Sequence, residues 1–93
     1  MTLKEIAEKA KSDSLNLITA QYDLKMAGIG LMAQAAQDEY YDSHPDAGYC
    51  EGVMVYDHVV LTETYKAESE FTRLCKVLLY QYDELIAALE LDS

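Results

Sequence analysis

A single proline, Pro45, divides the chain into two long stretches, and each carries apolar residues at helical spacing. In the first, Leu3, Ile6, Ala7, Ala10, Leu17, Ala20, Leu24, Ala27, Leu31 and Ala35 recur with the period of a helix face. In the second the row runs through Val60, Leu61, Thr64, Ala67, Phe71, Leu74, Cys75, Leu78, Tyr82, Leu85, Ile86 and Leu89. The residue before a proline avoids the α region, so the helices stop on either side of Ser43–Gly48. The spacing predicts one helix over about 3–41 and another over about 53–91. Val53–Leu61 is rich in β-branched residues, as a strand would be. No second strand exists to pair its backbone groups, so it too is expected to be helical.

Local signals refine the pattern. Thr2-Leu3-Lys4-Glu5 has the form of a capping box, with a hydroxyl at the N-cap and a Glu three residues on. Ser12-Asp13-Ser14 favours caps over helix interiors, so a kink or a separate short first helix is expected there. Gly28 and Gly30 each cost roughly 1 kcal/mol inside a helix. Close approach of another helix would explain them. Leu3, Ala10, Leu17, Leu24 and Leu31 lie seven apart and read as one seam.

Two helices of equal length suit an antiparallel hairpin, yet a hairpin leaves one side of each helix bare. Val55, Val59, Tyr65, Leu79 and Tyr80 lie off the main stripe of the second helix and call for a further partner. The expected fold class is therefore all-α. It is a single domain over 1–93, a long antiparallel helical hairpin or a three-helix unit broken at Ser12–Ser14. It oligomerises into a helical bundle, most simply a homodimer, with Val59, Tyr65, Leu79 and Tyr80 at the interface.

Charge narrows the function. The net charge is −10, with 17 acids against 7 Lys and Arg. Direct nucleic-acid binding needs phosphate-neutralising cations, and anionic membranes repel such a chain. The longest uncharged stretch, Met26 to Gln37, is too short to span a bilayer. Charges crowd the N-terminus where a secretory signal would be apolar. Cys50 and Cys75 form no disulfide framework, so a reducing, cytoplasmic setting is expected. The acids are unevenly spread. Asp38, Glu39, Asp42, Asp46, Glu51 and Asp57 fall in a region with no Lys or Arg between Lys25 and Lys66. Asp83, Glu84, Glu90 and Asp92 form a second group near the end of the chain. Asp38, Glu39 and Asp42 of the first group, and the whole of the second, sit towards helix C-termini, where the helix dipole disfavours negative charge.

The same central stretch holds the residues with chemical potential. His44, Cys50 and His58 have ligand chemistry, but their spacings fit no zinc template, and the acids do not follow a calcium loop. No metal, cofactor or catalytic residue is assigned. Glu5-Ile6-Ala7-Glu8 and Glu39-Tyr40-Tyr41-Asp42 resemble the paired acidic motifs of all-helical nucleotide pyrophosphohydrolases. The resemblance implies Mg²⁺ held by four carboxylates, and a metal-dependent nucleotide hydrolase stands as the third reading.

Recognition comes first. Tyr40, Tyr41, Tyr49 and Tyr56 lie among the acids, and tyrosine is enriched at interfaces. Carboxylates beside them can pair with a partner's Arg or Lys, or imitate backbone phosphates. The expected partner-binding set is Asp38, Glu39, Tyr40, Tyr41, Asp42, Asp46, Tyr49, Glu51, Tyr56 and Asp57. The expected function is that of a non-enzymatic acidic binding protein engaging a basic protein surface. Size and charge suit an inhibitor of a nucleic-acid-handling enzyme, a nucleic-acid mimic of the phage or mobile-element anti-defence type. The alternative is a helical adaptor, antitoxin or immunity-type protein acting through apolar helix faces.

Overall fold

The computed structural model describes residues 1–91. Two α-helices, α1 (Leu3–Ser43) and α2 (Tyr49–Leu91), pack as a hairpin, and no strand occurs among the described residues. The Thr2 hydroxyl accepts from the Glu5 amide at 3.1 Å and starts α1. Ser12-Asp13-Ser14 does not break the helix. The polar side chains there find partners other than the local backbone. Asp13 binds Lys9 at 3.1 Å, and the Ser14 hydroxyl lies 3.4 Å from that of Tyr82. The three-helix alternative is thereby excluded. Val53–Leu61 is helical, and α2 begins earlier than the apolar row suggests.

The inward faces repeat every eleven residues. On α1 the buried and half-buried positions include Ala7, Ile18, Ile29 and Tyr40, with Lys11, Tyr22 and Ala33 as a second row. On α2 they include Tyr56, Ala67, Leu78 and Leu89, with Val60, Phe71 and Tyr82 beside them. Eleven residues in three turns is close to the natural pitch of a helix, whereas a seven-residue row drifts by about 20° per heptad. The seven-spaced leucines therefore do not form the internal seam. Leu3, Leu17, Leu24 and Leu31 are all exposed. Among the described residues only Ala7, Ile29, Ala33 and Ala67 are buried apolar side chains, and none of the larger ones is fully enclosed.

The chain divides into two compact units. In the terminal unit, residues 1–22 pack against the chain from Ser69 onward. Tyr22 stacks obliquely on Phe71 with ring centroids 4.6 Å apart. Lys11 meets Asp83 at 2.8 Å, and Lys4 meets Glu90 at 2.8 Å. In the turn unit, Asp23–Glu68, Ile29, Ala33, Gly52 and Ala67 form the buried centre.

The turn depends on one tyrosine and one glycine. The Tyr41 hydroxyl donates to the carbonyls of Tyr49 (3.0 Å) and Gly48 (3.4 Å), and its ring covers Gly52. A β-carbon at Gly52 would collide with that ring. Gly30 differs, because a β-carbon there meets nothing nearer than the Tyr56 hydroxyl at 3.9 Å. Gly30→Ala is accordingly expected to stabilise the fold by roughly 1 kcal/mol through helix propensity. Gly52→Ala should destabilise it by about 1–3 kcal/mol through overpacking, despite the same gain in propensity. Urea denaturation of the two variants checks this. Equal stabilisation by both would show that Tyr41 does not close over Gly52.

Candidate functional site

The turn gathers most of the unbalanced charge. Between Asp23 and Glu68 the sequence has nine acids and two lysines, a net of −7 out of −10. No basic residue stands in the last turn of α1 to offset Asp38, Glu39 and Asp42. These three, with Asp46, Glu51 and Asp57, are exposed. Asp38 accepts from the Gln34 side chain at 3.0 Å.

The C-terminal acids are a different case. Asp83 and Glu90 are each paired with a lysine of α1. The Glu90 carboxylate, hydrogen-bonded to Lys4, raises the ammonium pKa above its usual 10.5. Lys4 and Lys11 thus reach across to α2. Asp92, counted with this group, lies outside the described residues.

The four tyrosines of the turn separate into three roles. Tyr49 is 80% exposed and carries no structural hydrogen bond through its hydroxyl that the geometry reveals, although its carbonyl receives Tyr41. Tyr41 and Tyr56 are half-buried and face the packing between the helices, Tyr41 over Gly52 and Tyr56 near Gly30. Their first duty is structural, which makes them weaker contact residues than their composition suggests. Tyr40 stands between the two roles. Its hydroxyl donates to Glu51 Oε2 at 2.8 Å, and its ring stacks on His44 with centroids 4.3 Å apart. His44 Nδ1 in turn lies 3.1 Å from the Tyr40 carbonyl, at the end of α1 where free carbonyls need partners.

Tyr40 and Glu51 also line an open groove of about 470 Å³ with Met54, Val55, His58 and Val59. Its walls are apolar apart from Glu51 and His58 at the edge. Val59, expected at an oligomer interface, is one of its lining residues. Tyr65 and Tyr80 of that same expected set are exposed, and Leu79 is half-buried. The groove was not legible in the sequence, because it forms where α1 ends beside the second turn of α2. Cys50 and Cys75 are free thiols, Cys50 exposed. Among the described residues no three His, Cys, Asp or Glu side chains converge on a point where a metal ion would fit. Glu5 and Glu8 belong to the terminal unit, and Glu39 and Asp42 to the turn unit.

The Tyr40–Glu51 bond carries a testable sign. The hydrogen bond to Glu51, reinforced by partial desolvation, raises the Tyr40 pKa above 10.0. A folded value above the unfolded one contributes stability below pH 10, and this is lost as pH rises through the folded value. Glu51→Ala is expected to let Tyr40 ionise at lower pH, read by tyrosine ultraviolet or NMR titration. An unchanged titration would remove Glu51 as the cause.

No protein-family model matches the chain, no curated protein matches it in sequence, and no solved structure matches its fold.

Proposed function

We propose that this protein is a non-enzymatic binding protein whose acidic turn engages a basic surface on a protein partner. The observation that carries the reading is the net −7 of the turn unit, displayed by exposed carboxylates with no Lys or Arg between residues 26 and 65. Stability alone would favour cations at the end of α1. Asp38, Glu39, Asp42, Asp46, Glu51 and Asp57 supply the charges, with Tyr49 as the exposed aromatic contact. Such an array suits a cleft that ordinarily holds a phosphate backbone, so the partner class is a nucleic-acid-handling enzyme and the effect is inhibition. An anti-defence role in a phage or mobile element fits a small acidic chain of this kind, acting in the cytoplasm. Among the described residues no helix is long and apolar enough to cross a membrane. The protein is further proposed to act as a homo-oligomer, since a hairpin with so little enclosed apolar surface gains by covering more.

A second reading is favoured by the apolar residues left in the open, Tyr65 and Tyr80 among them. In it the chain is a helical adaptor, antitoxin or immunity-type protein that works through these faces.

Two variants separate the readings. Changing Asp38, Glu39, Asp42 and Asp46 together to Lys is expected to abolish partner capture while leaving the helical circular dichroism intact. Capture by the wild type should weaken steeply with salt, since the Debye length is only about 8 Å at physiological ionic strength. It should also be competed by duplex DNA or RNA. Retained capture in the four-fold variant, combined with loss in Leu79→Ala/Tyr80→Ala, would transfer the function to the apolar faces.

A further inference from the structure

We propose that α1 carries the surface through which two copies of this chain associate, centred on Leu24, Ala27 and Leu31. This rests on the reading that the protein self-associates, and assigns the contact to a face of α1 rather than to α2. Leu24 is 75% and Leu31 77% exposed. Ala27 lies between them at the spacing that completes an a/d row. A seven-residue repeat is the signature of helices that pack on other helices. Here the hairpin does not use it, because its own inward face follows the eleven-residue repeat.

Three further observations select a second copy as the occupant. The first is area. The chain exposes 6826 Å², whereas a folded monomer of 10.5 kDa exposes about 5,400 Å². The excess, about 1,400 Å², is whole-chain surface that burying the standard roughly 800 Å² per partner would reduce. The second is charge. Two chains of −10 repel one another over most of their surface. The stretch from Met26 to Gln37, which holds Ala27 and Leu31, has no charged residue, so contact along it brings no like charges together. An unlike partner would not need a neutral surface, and a basic one would avoid it. The third is Gly28, on the flank of the row. A β-carbon there would meet nothing within 4 Å. The hairpin therefore gives no reason for a residue that costs its helix roughly 1 kcal/mol, whereas close approach of a second helix does. The contact is isologous, each α1 meeting the same patch on its copy.

Sedimentation equilibrium on the full chain tests this with the wild type, Leu24→Glu/Leu31→Glu and Tyr65→Glu/Tyr80→Glu. The wild type is expected at the mass of two chains. The α1 variant should weaken association at least 100-fold, and the α2 variant by less than 10-fold. Both pairs are exposed, so neither substitution disturbs the hairpin itself. Loss of helix in the α1 variant alone, with a wild-type melting temperature that rises with concentration, gives the same answer. A wild type that stays at the mass of one chain at all concentrations overturns self-association altogether. A wild-type dimer that survives in the α1 variant and dissociates in the α2 variant overturns the surface and leaves self-association standing.

Discussion

The eleven-residue period of the inward faces decides how the rest of the chain is used. It sends Ala7, Ile18, Ile29 and Ala33 of α1 towards α2, and Ala67, Phe71, Leu78 and Tyr82 of α2 towards α1. Leu3, Leu17, Leu24 and Leu31 of α1, which a seven-residue repeat places on a different row, are left outside. A chain of which 51% is hydrophobic therefore encloses only a few of its apolar side chains. The same period explains both the thin core and the apolar outer face.

Charge is arranged around that scaffold with a clear difference between its two ends. Lys4 and Lys11 answer Glu90 and Asp83, so the terminal unit holds acids and cations in contact. Each pair is exposed and contributes little to stability. Their effect is on the pattern of the field. They leave the turn unit as the seat of most of the uncompensated charge, beside an apolar groove and the exposed Tyr49. A partner of the kind proposed would be distinguished by charge before shape.

The helices were legible because Pro45 and two long apolar rows admit few other solutions. The continuity of α1 was not, since Ser12–Ser14 is a break only if those side chains turn to the backbone. Tyr82 and Lys9 offer them better partners. The row from Leu3 to Leu31 was visible, but its direction was not. A regular spacing says that residues share a face and leaves open which neighbour that face meets. At the turn, the acids could be read by counting, because exposed charge needs no packing partner. Tyr41 could not be told from Tyr49 in the same way. Gly52, which lies against the Tyr41 ring, gave no signal because it falls just outside the helix expected from about 53.

The hold of Tyr41 on the start of α2 also sets where chain entropy weighs least. Its bond to the Tyr49 carbonyl joins residues 8 apart, while Ser14 and Tyr82 meet across 68. Closing the longer loop costs about 1.9 kcal/mol more by the logarithmic dependence on length. The turn unit is thus the one whose shape asks least of the rest of the chain.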